Sequence, residues 1–324
     1  MPEVEIRKVQ RLGASSLIVT IPHSWARRVG LKPGDSIMIV HEGDSLRLTP
    51  ILKNPGSTSL TLDLNELRDE RSLNYVMPCL YILGYDEFRV KIKSRDQINI
   101  FRNAISKLPG LELISLGEDS ITAKVIVDLD KVDVRTLIKS MALITHNSIN
   151  VLSRALKGES WESLELEIRS LAEELYRIRS LVERKLHTTS LSAGGSEELT
   201  SAGAILVLSA LTLLSLINTL ILDTMDILKG RLKTDSNLSL LASRLGELIP
   251  ALGSIVVNPS VKRALELLES LSGLRGDLVK LIEVGELSGF NYIVATRLMD
   301  IIKILQIICY ATLCVGLHAG VERR

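Results

Sequence analysis

The sequence predicts a mostly helical protein of several domains, in which a small β-rich module and a mixed α/β segment precede a helical bundle. Apolar residues alternate with polar ones only within the first 128 positions, and from Lys131 onward they recur with helical spacing. The 324 residues are enough for two or three domains. Only 3% are aromatic, which favours aliphatic helix packing over a single-strand nucleic-acid platform of stacked rings.

The first module is predicted to contain a strand, a glycine turn, a second strand, a short basic helix and a closing hairpin. The alternation at 16–21 is typical of a strand, which Pro22 ends. Residues 23–29 fit about two helical turns, and the glycine that follows stops them. A Pro-Gly pair at 33–34 suits a type II turn, and a second turn at 42–44 closes the hairpin.

This module is too small to bury a sufficient core alone, since it has fewer than about fifty residues. We therefore expect a homodimer formed through the N-terminal domain, with Trp25 in the core or the dimer seam rather than stacked on a base. Residues 1–56 hold eight basic and five acidic residues, a net charge of +3 against +1 for the whole chain. Dimerisation would double the positive field offered to a duplex.

These residues resemble the AbrB/SpoVT/MazE swapped-hairpin domain, in which two chains exchange hairpins to make one DNA-binding barrel. The matching pieces are Arg7-Lys8-Val9, Leu12-Gly13, Ile18-Val19-Thr20-Ile21-Pro22, Arg27-Arg28-Val29-Gly30-Leu31 and Gly34-Asp35. The resemblance implies a swapped-hairpin β-barrel over residues 1–53. It also implies that arginines on the first strand and just after the Pro-led turn bind DNA.

The arginines at the matching positions are Arg7, Arg27 and Arg28. AbrB-type regulators often have an arginine directly after the Leu-Gly pair, whereas this chain has Ala14-Ser15-Ser16. Hydroxyl and backbone N–H groups there are expected to donate to phosphate, which positions a protein without reading base sequence. The predicted DNA-binding residues are Arg7, Lys8, Arg11, Ser15, Ser16, Arg27 and Arg28.

The mixed segment, 57–128, follows a linker at 54–57 and is predicted to have the order β-α-β-α-β-β, a small sheet with helices on one side. Pro78 is expected to kink or restart its first helix. The basic row Arg89, Lys91, Lys93 and Arg95 is either a second nucleic-acid surface or, as we favour, the solvated face or protected edge of a strand.

The region 131–324 is predicted to be a bundle of long antiparallel helices that alternate apolar and charged faces. Breaks are expected at glycine, proline and short polar stretches, including Gly194-Gly195. The predicted helices are Val132–Leu156, Trp161–His187, Glu197–Leu232, Leu238–Ile249, Val261–Leu274, Leu278–Leu287 and Phe290–Val321.

One of these helices is long and apolar enough for a membrane span, because 200–222 holds no charged residue over 23 positions. Seven of its residues carry hydroxyl or amide groups, however, and neither an aromatic belt nor a basic cluster flanks it. We expect a central bundle helix that is hydrophobic all round. A membrane-docked state is the alternative.

The order of these parts is similar to that of the archaeal phosphate uptake regulators, whose C-terminal part is PhoU-like. PhoU proteins are two three-helix bundles, and many bind metal clusters through acidic pairs on facing helices. At the Glu-x-Asp-Arg motif, 174–177, this chain has Tyr176 in place of the aspartate, and the helix around Asn218 has no carboxylate. Asp223 and Asp226 share a helix face but are a lone pair. We therefore expect no metal cluster and no cofactor.

Catalytic motifs are also missing from the sequence: it contains no GxGxxG, P-loop, HExxH or GxSxG, and Glu283 and Glu286 have no nucleophile beside them. The five histidines are scattered singly, so we do not expect an enzyme. Cys79, Cys309 and Cys314 lack CxxC spacing and are expected to be buried thiols in a reducing compartment. With no N-terminal signal sequence, we expect a cytoplasmic protein.

These expectations favour a dimeric transcription regulator of phosphate uptake. Its N-terminal modules would grip DNA, and its helical half would relay a signal by contacting a phosphate transporter or sensor protein at the membrane. One alternative is a PhoU-like adaptor that regulates such a transporter or sensor without sequence-specific DNA binding. Another is an antitoxin of MazE type, which fits the first module but not the large helical half, since a toxin-wrapping tail is normally short and disordered.

Overall fold

The computed structural model describes residues 4–42, 45–50, 58–64, 72–191, 201–229, 235–283, 287 and 289–321. The chain divides into two compact units near position 57, and each is described by itself. The predicted linker at 54–57 and the break at 194–195 lie outside the described residues, as does most of the predicted turn at 42–44. The boundary predicted between 128 and 131 falls within the second unit and stays a prediction.

In the described residues between 4 and 50, the first unit contains four short strands and one helix in the predicted order. Two antiparallel hairpins form separate sheets, and the short helix α1 lies between them in the chain. The second strand is shorter than predicted, because its partner in the ladder begins only at Gln10, which pairs with Ile18. The elements are β1 (Gln10–Leu12), β2 (Ser16–Ile18), α1 (His23–Arg28), β3 (Ile37–Glu42) and β4 (Ser45–Pro50).

Two glycines adopt positive φ angles at the positions where the sequence predicts a helix end and a turn. Gly30 ends α1 with a φ of 72°, the left-handed conformation, and the N–H of Leu31 donates to the carbonyl of Ala26 at 2.8 Å. Gly34 has a φ of 95°, and the N–H of Asp35 donates to the carbonyl of Lys32 at 3.0 Å, closing the predicted turn.

Apolar side chains of the first unit face solvent. None of the residues between 4 and 50 whose burial the structure describes is buried. Ile6 is 95% exposed, Leu17 72% and Leu46 61%. One chain therefore forms two open hairpins and not a closed barrel, and apolar surface remains to be covered.

The second unit begins with the predicted β-α-β-α-β-β segment. Its four strands have the order β5-β6-β8-β7, in which β5 is parallel to β6 and the other pairs are antiparallel. Pro78 lies inside the first helix without ending it. The elements are β5 (Ser59–Asp63), α2 (Leu73–Ile82), β6 (Glu87–Lys91), α3 (Arg95–Ile105), β7 (Leu111–Leu116) and β8 (Ser120–Val125).

The two faces of β6 differ as the alternation predicts. Phe88 and Val90 are fully buried in a core shared with both helices, whereas Arg89 and Lys91 are exposed on the other face. Because β6 lies between β5 and β8, these bases do not protect a sheet edge. The solvated-face interpretation is the one that this position favours.

A single 3₁₀ turn, Leu129–Lys131, leads into the helices. They share one large aliphatic core, in which α4 packs most closely on α7, α6 packs on α4 and α9, and α7, α8 and α9 pack on one another. The helices are α4 (Val134–Leu156), α5 (Trp161–Leu191), α6 (Ser201–Leu228), α7 (Ser236–Val257), α8 (Val261–Glu283) and α9 (Phe290–Val321).

The helix ends predicted at Leu274 and at Ile249 are wrong. The helices expected at 261–274 and 278–287 form the single helix α8, because Gly276 between them does not break it. Helix α7 continues past Pro250 to Val257. Proline removes the N–H that would bond the carbonyl of Gly246, and His146 of α4 supplies a replacement, with Nδ1 at 2.8 Å from that oxygen. The interruption is thus satisfied from a neighbouring helix, and His146 is a structural histidine.

The contact between α4 and α7 depends on a glycine. A Cβ at Gly253 would lie 2.5 Å from the Cβ of Ala142, closer than two carbon atoms can pack. We predict that Gly253→Ala lowers the free energy of unfolding by about 1–3 kcal/mol, because overpacking separates the two helices. Urea unfolding followed by circular dichroism measures this change.

Gly273→Ala on α8 is the matched control, since a Cβ there meets nothing within 4 Å. It is expected to stabilise the helix by up to about 1 kcal/mol through helix propensity alone. If both variants changed stability in the same direction, the proposed crowding at Gly253 would be wrong.

One buried arginine fastens α5 to the mixed segment. The guanidinium of Arg184 is 1% exposed, and its Nη2 lies 2.6 Å from Oδ1 of Asp86. Nη1 donates to the carbonyls of Tyr81 and Tyr85, at 2.5 and 2.9 Å, and the group lies over the Tyr81 ring. The other carboxylate oxygen of Asp86 accepts from the N–H and hydroxyl of Thr58, the first described residue after position 50.

Helix α6 differs from the expectation that it is hydrophobic all round and central. Ile205 is 66% exposed and Leu216 45%, so one apolar face of α6 lies on the surface. Among the residues that the structure describes, three helices are long and apolar enough to cross a membrane by length and composition: Ala202–Leu228, Ser236–Val257 and Phe290–His318.

The cysteines were expected to be buried, and this is wrong for two of them. Cys309 is fully buried, and burial raises the pKa of its thiol to about 12. Cys79 and Cys314 are exposed, because each lies on the solvent side of its helix.

Candidate nucleic-acid interface

The two arginines of α1 are placed by the proline that starts the helix and the glycine that ends it. The carbonyl of Pro22 accepts the N–H of Ala26 at 3.0 Å, which closes the first turn. Arg27 and Arg28 occupy the last turn, where their charge also complements the negative end of the helix dipole. Both side chains are exposed and pair with no acid among the described residues, so they are free to meet an anionic surface.

The first hairpin carries most of the other predicted DNA-binding residues. Gly13 turns the chain with a φ of 67°, and Nη2 of Arg11 donates to the carbonyl of Ala14 at 3.1 Å across that turn. Lys8, Ser15 and Ser16 are all exposed. Exposed hydroxyl groups beside a basic side chain suit contact with phosphate oxygens.

Arg7 has a partner that the sequence did not predict. Its Nη2 forms an ion pair with Oε2 of Glu5, two residues earlier in the chain. The pair is partly exposed, and such pairs are individually weak. Arg7 therefore has to leave a carboxylate before it can bind phosphate, whereas Arg27 and Arg28 do not.

An open groove of about 500 Å³ brings Arg7 and Arg28 together. Its apolar wall is formed by Val19, Ile21, Leu46 and Leu48, and Trp25 lines it half-buried. The other five predicted DNA-binding residues do not line the groove: they are Lys8, Arg11, Ser15, Ser16 and Arg27.

The chemistry of this groove suits protein more than DNA. An apolar wall of exposed aliphatic side chains favours a second polypeptide, although Arg7 and Arg28 also line the groove. The position of Trp25 agrees with a core or seam role. Sequence reasoning missed the groove, although the alternation that continues past Ile18 to Ile21 was a signal that apolar residues lie beyond the strand.

The residues at the positions of the PhoU acidic motifs make contacts within the fold. Tyr176 is half-buried against the core of the mixed segment, and burial raises the pKa of its hydroxyl. Arg177 donates to the carbonyl of Ser106 at 2.9 Å, and Asn218, which is buried, donates to the hydroxyl of Thr145 at 3.0 Å. Over the described part of the chain, no three His, Cys, Asp or Glu side chains gather as a potential metal site.

Comparison with known proteins agrees with the first unit. The sequence profile of a family described as "Antidote-toxin recognition MazE, bacterial antitoxin" matches residues 10–56. No curated protein and no solved structure matches the chain. The protein therefore carries an N-terminal MazE/AbrB-like domain at residues 10–56, of a kind that typically dimerises and binds DNA.

Proposed function

We propose that this protein is a dimeric, cytoplasmic, non-enzymatic regulator of transcription that binds DNA through its N-terminal domain. The observation that carries the proposal is the combination, in one module, of exposed apolar residues with the two exposed arginines of α1. The exposed apolar residues favour contact with a second copy of the chain. The arginines, whose number is doubled in the dimer, favour binding of an anionic partner.

In the proposed complex, backbone phosphates supply most of the binding energy. Arg27 and Arg28 bind phosphate directly, and Arg11 and Lys8 add charge from the hairpin. Ser15 and Ser16 donate hydroxyl or backbone N–H groups, which fixes the register on the duplex. Arg7 joins when phosphate competes with Glu5 for its guanidinium. Recognition of a particular base sequence depends on those side chains that reach the edges of the bases in the DNA grooves.

The helical half is proposed to relay a signal, and phosphate uptake is the process that the order of the domains supports. Within the described residues, six helices follow the mixed segment, which is the number that two three-helix bundles of PhoU type contain. The later three, α7, α8 and α9, pack on one another. The departures at Tyr176 and Asn218 mean that the relay does not use the acidic motifs of the metal-binding members.

Binding of duplex DNA by the full-length protein at several salt concentrations tests the proposal. A dimer that neutralises six to ten phosphates loses about 1,000-fold in affinity or more between about 50 and 200 mM salt. Fluorescence anisotropy with a random-sequence duplex measures this loss. Affinity that is undetectable at low salt, or indifferent to salt, would contradict DNA binding through these residues.

An antitoxin is a second candidate, favoured by the description of the matching family. The chain would then bind a toxin protein and block it. The six long helices α4 to α9 among the described residues favour the regulator, because toxin-wrapping tails are normally short. Rescue of growth by the chain, in cells arrested by a co-expressed toxin that MazE-type antitoxins neutralise, would favour the antitoxin.

A further inference from the structure

The arginines of the first unit differ in whether an acid neutralises them. Among the described residues, Arg27 and Arg28 pair with no acid, so each offers its full positive charge to a partner. Arg7 is paired with Glu5, and the two side chains together carry no net charge. The two kinds of arginine are therefore suited to different groups on DNA.

Phosphate gains little from the Glu5–Arg7 pair. A phosphate is an anion, so Glu5 repels it while Arg7 attracts it. One phosphate contact raises affinity about fivefold at about 0.15 M salt. Breaking an exposed ion pair costs up to about fivefold. Moving Arg7 from Glu5 to a phosphate is thus nearly neutral, and on DNA of random sequence it adds little affinity.

A guanine edge is a better partner for the pair. In the major groove that edge is neutral and offers the acceptors O6 and N7, which arginine contacts together more often than other side chains do. The guanidinium has N–H donors on Nε, Nη1 and Nη2, and Glu5 engages Nη2. Arg7 can therefore bind guanine while it stays paired with Glu5. Such a contact discriminates against a wrong base by about 5- to 150-fold.

The position of the pair suits a base contact beside a phosphate contact. Glu5 and Arg7 lie in the segment 4–9 before β1, every residue of which is exposed. Their side chains are 31% and 43% exposed. Both line the groove that Arg28 also lines. The major groove is about 12 Å wide and admits a two-stranded ribbon, so a single exposed segment of chain fits it.

The minor groove suits this pair less well. Narrow A-tracts attract arginine through their negative potential, and Glu5 cancels much of that attraction for Arg7. Guanine presents an N–H donor in the minor groove, and an arginine has no acceptor to receive it. The major groove is thus the site that the chemistry of the pair favours.

We infer that Arg7 reads a guanine edge in the major groove, and that Glu5 is the positioning residue that holds Arg7 away from phosphate. This assignment rests on the proposed function, since it requires that the N-terminal domain binds DNA. It adds the source of base specificity. Arg27 and Arg28 supply affinity for any duplex, and the Glu5–Arg7 pair supplies the preference for one sequence over another.

Replacement of guanine by 7-deazaguanine tests the base contact. A duplex enriched from a random pool by the full-length protein is prepared with either base, because 7-deazaguanine keeps base pairing and lacks the N7 acceptor. In anisotropy titrations the wild type is expected to bind the modified duplex at least about fivefold more weakly. Arg7→Ala is expected to bind both duplexes about equally. Equal binding by the wild type, or the same loss in both proteins, would overturn the inference.

Glu5→Gln tests the positioning role. Release of Arg7 in both chains of a dimer adds up to two phosphate contacts, so affinity for a random-sequence duplex is expected to rise up to about 60-fold at about 0.1 M salt. Affinity for the enriched duplex is expected to change less, so the ratio of the two affinities falls at least about fivefold. The matched control is Glu269→Gln, which removes the same charge from an exposed position on α8 and is expected to keep that ratio.

Arg7→Ala in the Glu5→Gln background separates positioning from simple repulsion. Without Arg7, the gain in affinity for the random-sequence duplex is expected to disappear. If the gain persisted, Glu5 would repel DNA by its charge alone, and the inference would be overturned.

The same titrations distinguish failure of this inference from failure of the proposed function. If neither the wild type nor Glu5→Gln bound any duplex at low salt, the proposed function would be refuted, and this inference with it. Salt-dependent binding by the wild type that did not depend on guanine N7 would leave the proposed function standing and overturn this inference alone.

Discussion

Replacing Arg27 and Arg28 together by alanine is expected to weaken binding of duplex DNA more than any other pair of substitutions in the first unit. A dimer loses four cationic side chains, and each phosphate contact contributes about 0.9 to the slope of log affinity against log salt. At about 0.1 M salt the loss is about 60-fold if two of the four bind phosphate, and about 4,000-fold if all four do. The salt slope is expected to fall in magnitude by about 2 to 4.

The matched control is Arg89→Ala with Lys91→Ala, which removes the same charge from exposed positions on β6 of the other unit. Anisotropy titrations of both variants at several salt concentrations provide the comparison. The control is expected to keep the salt slope of the wild type. Equal losses in the two variants would mean that net charge, not the position of α1, determines binding.

Asp86→Ala is expected to lower the free energy of unfolding of the second unit by about 2–3 kcal/mol. Burial lowers the pKa of Arg184 below its ordinary value, and the Asp86 carboxylate offsets part of that effect. Without the carboxylate the guanidinium remains buried with only two carbonyls and an aromatic ring around it. The N–H of Thr58 loses its acceptor at the same time, whereas the hydroxyl of Thr58 still donates to the carbonyl of Gly84 at 2.8 Å. The expected loss is below that of a fully buried pair, because Asp86 is 41% exposed.

Asp277→Ala is a close control, since Asp277 is 43% exposed and pairs with Arg244 at 3.0 Å. Arg244 is itself 53% exposed, so this pair is expected to contribute less than about 1 kcal/mol. Chemical unfolding followed by circular dichroism compares the two variants. Similar losses of stability in the two variants would show that the burial of Arg184 does not increase the contribution of its contact with Asp86.

Local chemistry explains which parts of the fold the sequence predicts well. Gly30 ends α1 and Gly34 shapes the next turn because few other residues adopt their backbone conformation, so the pattern alone is informative. The α/β order was also predictable, because buried and exposed residues alternate along β6. The continuation of α7 past Pro250 was not predictable from the local sequence. The hydrogen bond that the proline removes is replaced by His146, about a hundred positions earlier in the chain.

The candidate interface was predictable in its charges but not in its shape. Arg27 and Arg28 are where the helix signals place them, and the resemblance marked them. The pairing of Arg7 with Glu5 and the groove that joins Arg7 to Arg28 depend on how strands and helix fold together. The exposed face of α6 was missed because an uncharged run looks the same in sequence whether its partner belongs to the same chain or to another.

The central claim is that two chains join their N-terminal modules to present one basic surface to DNA. Native mass spectrometry of the full-length protein with one short duplex tests it most directly. The account predicts a complex of two chains, each of 35.7 kDa, per duplex, and its loss in the Leu17→Glu, Leu46→Glu variant. A complex of one chain per duplex, formed with the same affinity by that variant, would contradict it.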